Sequence, residues 1–295
     1  MKRSKDHFSG CLLGGALGDA LGTPVELDTY EQIMNEYGDD GVLDLQCNIH
    51  GLATITDDTQ MTLFTAEGLL RAKCRSEKKG IKRNLRDTTM VVFRAYLRWL
   101  YTQGLYTSHW NGRDYDGWLV GIKGLYQSKQ AGTTTITTLG KGIMGRLSKP
   151  INNSKTSGPV IRIAPVGLFE CREDTFELGM RIGAITHGHP SAYYAAGAMA
   201  LLIHNIIQGM SIKDGVLDVI RELENHHDTQ ECIEKLNQAI ELFKTNPQSR
   251  EALSQLGKGR EAPEALAMGV YCALSYPDDL IKALRLAVNH GGDSG

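Results

Sequence analysis

An excess of either charge is the first thing this chain lacks: 32 Lys and Arg stand against 34 Asp and Glu, a formal net charge of −2 over 295 residues. General nucleic-acid binders and membrane-surface proteins usually show a basic excess, so the balance argues against both and leaves small molecules or proteins as partners. Paired cysteines are missing as well. Cys11, Cys47, Cys74, Cys171, Cys232 and Cys272 are scattered with no CxxC and no zinc-site spacing, which fits a reduced, cytoplasmic setting. Near the N-terminus Lys2, Arg3 and Lys5 precede an apolar run, but Asp6, His7 and Asp19 interrupt it, and the stretch reads as a soluble helix rather than a signal or membrane span. Pro/Ser-rich linkers, low-complexity segments and internal repeats are absent, which predicts one domain over residues 1–295 and a monomer.

Strand signal is nearly absent too. Val160–Ile163 is rich in β-branched residues and reads as one short extended piece, limited by Pro165 and Gly167. Elsewhere helical periodicity recurs, and 41% apolar residues are enough for a substantial core. Helices are predicted over Phe8–Gly22, Thr62–Cys74, Val91–Tyr101, Leu139–Leu147 with its start in the threonine-rich Thr133–Thr138, Phe176–Thr186, Ser191–Gly209, Ile212–His226, Thr229–Thr245, Ala262–Ser275 and Asp278–Asn289. Tyr30–His50 reads as a short helix and a turn, Arg71–Arg86 as a solvated basic loop, and Trp110–Gly132 as an aromatic, glycine-rich loop wall. The fold class is all-α.

Two stretches ask for an explanation. Gly10, Gly14, Gly18 and Gly22 recur every fourth residue; each costs a helix about 1 kcal/mol relative to alanine, so the stripe predicts a central helix tightly packed on its neighbours. Thr56-Asp57-Asp58-Thr59 sets two carboxylates side by side among apolar neighbours. Such a pair either caps the helix that follows or is compensated by a hard divalent cation, Mg²⁺ or Mn²⁺ rather than zinc, and the two roles are compatible. His187 and His189 lie on a turn with no third nitrogen or sulfur ligand nearby in sequence, so they read as a pocket-lining loop.

In order, GCLLGGALGDALGTPVE at Gly10–Glu26, TDDTQM at Thr56–Met61, RIAPVGL at Arg162–Leu168, THGHP at Thr186–Pro190 and AVNHGGDS at Ala287–Ser294 together resemble the ADP-ribosylglycohydrolase family. The resemblance implies a compact multi-helix bundle with a cleft holding two Mg²⁺ or Mn²⁺ ions. The implied activity removes ADP-ribose from a modified protein side chain, arginine first, with an ADP-ribosylated protein or an ADP-ribose-containing small molecule as partner. By position it marks Thr56, Asp57, Asp58 and Asp293 as metal ligands, Asp57 and Asp58 together with Glu26 as the catalytic acids, and Ser157, Gly158, Arg162, His187 and Gly188 as substrate-binding residues. Ser157–Arg162 stands where the family has a glycine-rich loop near the phosphates; Pro159 removes one N–H from it. His187 falls on the loop near the distal ribose.

The match departs at the end. The family pattern is GGD-x-D-[ST], whereas Gly295 occupies the place of the second aspartate, and the family's C-terminal helices do not follow. The expectation is a truncated chain whose second metal site is doubtful. The rivals are a pseudo-enzyme that binds ADP-ribose or an ADP-ribosylated protein without turnover, and an enzyme with an altered second site, for instance one using the α-carboxylate of Gly295. Departure from an anomeric carbon passes through an oxocarbenium-like state, so a carboxylate that deprotonates water belongs beside the ribose; Glu26 takes that part. The resulting expectation is that Asp57→Asn and Asp58→Asn each weaken Mn²⁺ binding in calorimetric titration, while Glu26→Gln keeps the metal and lowers turnover. Equal loss of metal in Glu26→Gln contradicts the division.

Overall fold

The computed structural model describes residues 4–107, 116–126, 132–169 and 171–294. Gly295 and parts of the 110–132 stretch, including Trp110, lie outside them. Helices follow one another as α1 (Lys5–Gly22), α2 (Tyr30–Tyr37), α3 (Asp57–Lys79), α4 (Leu85–Thr102), α5 (Thr133–Gly140), α6 (Gly158–Ile161) and α7 (Ala164–Phe169). Then come α8 (Arg172–Gly183), α9 (Pro190–Ile207), α10 (Ile212–Glu224), α11 (Gln230–Thr245), α12 (Arg250–Ser254), α13 (Ala262–Ser275) and α14 (Leu280–Val288). Among the described residues only two isolated β-bridges interrupt the helices, Cys47 with Ala53 and Arg146 with Lys149. The all-α expectation holds.

Three local readings change. Val160–Ile163 is not extended: Pro159 sits in the first turn of α6, where its missing N–H is not needed, and helix starts there despite the β-branched residues. Arg71–Lys79 is helical, the basic end of α3, which shortens the loop to residues 80–84. The helix expected from Thr133 through Leu147 does begin at Thr133 but stops at Gly140, with Gly142 beyond it in the left-handed region at φ +66°.

The chain divides into two compact units, residues 1–56 with 205–295, and residues 57–204. In the second unit α3 and α4 form the central pair. Gly68 lets them meet, since a Cβ there would stand 2.7 Å from Val92 Cα. Beside that crossing Arg98 forms a buried ion pair with Glu67, Nη2 to Oε2 2.7 Å. Phe64, Val92, Tyr96, Trp99, Ile163, Leu178 and Ile182 belong to the surrounding core. The first unit packs Leu21, Val25, Ile33, Val42 and Val288 into a smaller cluster. Asn289 fastens it, its amide accepting from Val42 N–H at 2.8 Å and donating to Val42 C=O at 3.0 Å.

The glycine stripe is only partly a packing seam. Gly18 and Gly22 face α14 and the C-terminal segment, with a Cβ on Gly18 reaching 3.2 Å from Leu284 and one on Gly22 overlapping the Ser294 carbonyl, whereas Gly10 faces open space. Only Asp19–Gly22 of α1 is buried, so the helix is not central along its length. Accordingly Gly10→Ala is expected to gain up to about 1 kcal/mol from helix propensity, and Gly22→Ala to lose about 1–3 kcal/mol by overpacking; urea unfolding measures both, and equal effects contradict the seam.

Candidate functional site

The first unit holds Glu26, Thr56 and Asp293. Asp19, on the last turn of α1, is 5% exposed and turns its carboxylate on the backbone of Thr56, whose N–H donates to Oδ2 at 2.9 Å and Oδ1 at 3.1 Å. Thr23 donates its hydroxyl to the Asp19 carbonyl at 2.7 Å. A buried carboxylate that accepts a backbone N–H across both oxygens costs less than an unpaired one and fixes the backbone at Thr56. Glu26 is half-buried and follows the short 3₁₀ turn Thr23–Val25. Next to it Leu27 lies in the left-handed region at φ +70°, a strained setting for a γ-branched residue, held by its N–H donating to the Gly292 carbonyl at 2.9 Å. Asp293 is anchored one residue further on, N–H to Lys258 C=O at 2.8 Å. The strained Leu27 turn and the GGD segment are therefore one fastened assembly, bringing the surroundings of Glu26 and Asp293 together.

The second unit brings together most of the other predicted residues. Asp57 and Asp58, both half-buried, form the first turn of α3. One turn on, Thr62 donates to Asp58 C=O at 2.9 Å and stands 3.5 Å from the Ile161 carbonyl, which ties the acid-bearing turn to α6. Ser157 and Gly158 open α6. Gly158 is needed because the His187 ring passes close, Cε1 lying 3.3 Å from where a Cβ would be.

Beneath this loop Arg162 is 1% exposed. Its guanidinium lies 4.8 Å above the Tyr96 ring, donates Nη2–H to the Thr186 hydroxyl and reaches Thr135 Oγ1 at 3.5 Å. No carboxylate pairs with it among the described residues, and its Nε is buried without a hydrogen-bond partner. Thr186 Oγ1, which accepts from Arg162, is hydrogen-bonded to His187 Nδ1 at 2.8 Å, and His187 Nε2 is hydrogen-bonded to Thr156 Oγ1 at 2.8 Å, so both ring nitrogens are held by threonine hydroxyls. Burial, and secondly the Arg162 charge, holds His187 well below the usual imidazole value of 6.5, so it is neutral. Asn152 completes the scaffold: it donates to Thr186 C=O at 2.8 Å and accepts from Gly188 N–H at 3.0 Å, and a Cβ on Gly188 would overlap the Asn152 carbonyl.

Arg162 thus acts from below the loop and not on its open side. Asp19, Thr62, Asn152 and Thr186 escaped the sequence reading. The one sequence cue was for Asp19, an acid set inside a glycine-rich apolar helix. Hydroxyl and carboxylate oxygens on the consecutive residues 56–58 are hard donors that suit Mg²⁺ or Mn²⁺. Among the described residues no group of three or more His, Cys, Asp or Glu is gathered to hold an ion, so the donor set fits only with the threonine hydroxyl and with the backbone or water oxygens that Mg²⁺ commonly keeps.

With the all-helical fold and these residues in place, comparison with known proteins gives the class: the family model for ADP-ribosylglycohydrolase matches residues 1–295. The chain belongs to that family. It is 26% identical to ADP-ribosylhydrolase ARH3 of Danio rerio over 91% of this chain and 70% of that protein. The corresponding figures for ADP-ribosylhydrolase ARH3 of Mus musculus are 24% over 99% and 80%, and for an uncharacterized protein of Archaeoglobus fulgidus 25% over 98% and 83%. A solved ADP-ribosylglycohydrolase-related protein complex shares the fold at TM-score 0.61 and 22% identity, covering 99% of this chain and 83% of that one. Among the described residues no helix is long and apolar enough to cross a membrane.

Because folded His187 stays neutral while unfolded histidine protonates near 6.5, acid favours the unfolded state. Stability is therefore present above about pH 6.5 and is lost as pH falls below it, with His290, also lowered by burial, contributing in the same sense. In His187→Gln the slope of unfolding free energy between pH 6.5 and acid is expected to be shallower. An unchanged slope in chemical denaturation contradicts a buried neutral imidazole.

Proposed function

We propose that the chain is a Mg²⁺- or Mn²⁺-dependent hydrolase that cleaves the glycosidic bond between ADP-ribose and a modified protein side chain, arginine foremost. The observation that carries the reading is that the Asp57–Asp58 turn lies against α6, the short helix that Ser157 and Gly158 open: Thr62 donates to Asp58 C=O at 2.9 Å and stands 3.5 Å from the Ile161 carbonyl at the other end of α6, all within the second unit. Thr56, Asp57, Asp58 and Asp293 are the proposed ion ligands. A bound ion would orient the ribose hydroxyls and lower the pKa of the attacking water.

The remaining chemistry belongs to the chain itself. Ser157 and Gly158 line the place for the diphosphate, and His187, neutral and held at both ring nitrogens by Thr156 and Thr186, borders the loop without adding charge. Gly188 lets the following turn pass Asn152. Arg162 supplies positive potential from beneath, unneutralised by any carboxylate among the described residues, which favours an anionic ligand above it. Glu26 takes the proton of the attacking water, and the strained Leu27 turn fixes its direction. The proposed partner is an ADP-ribosylated protein, or a small molecule carrying ADP-ribose, in the cytoplasm.

The test is release of free ADP-ribose from an ADP-ribosyl-arginine protein in Mg²⁺. Turnover is expected, with loss on chelation and return on adding Mg²⁺; parallel substrates with serine and O-acetyl linkages assign the bond. Binding of ADP-ribose without release from any of them contradicts the hydrolase reading in favour of a non-catalytic binding module.

A further inference from the structure

The basic run Arg71–Arg86 has no part in the proposed chemistry, and it lies at the far end of α3, about 30 Å from Asp57 by helical rise. There the second unit carries two cavities. One, of about 280 Å³, is lined by Arg75, Lys79, Lys82 and Arg83 beside Ile81 and Val91. The other, of about 380 Å³, is lined by Arg86, Arg146 and Arg181 beside Met144 and Leu147. Asp87 and Met90 line both, so the two meet at a shared waist.

Most of this charge is uncommitted. Arg181 pairs with Glu177 at 2.5 Å, and Arg83 lies 5.1 Å over the Phe169 ring. Arg75, Lys79, Lys82, Arg86 and Arg146 make no ion pair among the described residues. Lys78 and Lys79 suit the C-terminal turn of α3 as dipole partners. Arg86 does not have that excuse, because it occupies the first turn of α4, where a cation is disfavoured. In a chain of net charge −2 so local a basic concentration stands apart from the overall balance.

We infer that the two cavities form a docking groove for an acidic peptide segment of a protein partner, with carboxylates in the two basic ends and an apolar side chain over Met90 at the waist. The waist decides the occupant. Asp87, its Oδ2 held 2.8 Å from Asn84 Nδ2, places a negative charge there, which a polymer charged at every unit cannot avoid and a peptide can. Neither lining offers an aromatic ring for a base to stack on, among the described residues. Met90, Met144 and Leu147 instead give apolar contact of the adaptable kind that peptides use.

Fluorescence anisotropy of the full chain with a fluorescein-labelled Glu-Glu-Glu-Leu-Glu-Glu-Glu peptide tests this. Binding is expected to weaken with salt and to fall roughly tenfold in the double variant Lys82→Glu, Arg86→Glu, while Lys213→Glu, an exposed position on α10, leaves it unchanged; circular dichroism checks that each variant is folded. No binding at low salt, an equal loss in Lys213→Glu, or displacement by inorganic polyphosphate or oligothymidylate at lower concentration than by unlabelled peptide overturns the proposal.

Discussion

A buried guanidinium without a carboxylate is the constraint on which the second unit is built. Arg162 is paired instead with neutral groups, the Thr186 and Thr135 hydroxyls and the Tyr96 ring. Burying a charge on such terms is costly, because dipoles return only part of the lost hydration. The arrangement persists because each neutral partner is fixed from elsewhere. Tyr96 donates its hydroxyl to Thr65 on α3 at 2.7 Å, and Thr65 donates to Met61 C=O at 2.9 Å. Asn152 holds the Thr186 backbone. The charge in turn engages the hydroxyl of Thr186, whose oxygen also meets His187 Nδ1, so a residue that touches no open surface is joined to the loop through two hydrogen bonds.

The first unit solves the converse problem with the opposite sign. Asp19 is a buried carboxylate made tolerable by the Thr56 N–H, which donates across both its oxygens. The strain at Leu27 is tolerable because its N–H has a definite acceptor in Gly292. In both units an energetically unfavourable element is held in place by hydrogen bonds to partners distant in sequence, the pattern expected where chemistry and not packing selects the residues.

Much of the helical architecture was legible in the sequence, because apolar periodicity reports burial one element at a time. Ala262–Ser275 was read with the bounds it has, and the acid pair at Asp57 does begin a helix. Val160–Ile163 misled because its β-branched residues favour strand, while Pro159 at a helix start and the demand of Arg162 for burial decide otherwise. The supports of the site were illegible for a different reason. Thr186 is 24 positions from Arg162, and Asp19 is 37 from Thr56. Threonine and asparagine at such distances carry no local signature; their roles arise only when the fold delivers a buried group to them. Motif order named the residues of the candidate site, buried and half-buried alike, and physical contact was needed to find those that hold them.

If the Asp57–Asp58 turn and the Ser157–Gly158 loop serve one ligand and one metal centre, anomalous diffraction from crystals grown with Mn²⁺ and ADP-ribose will locate both together. An anomalous peak is expected at coordination distance from the Asp57 and Asp58 carboxylates, with the diphosphate of ADP-ribose against Ser157 and Gly158. A manganese peak away from that pair, or ADP-ribose bound elsewhere on the chain, rules the shared centre out.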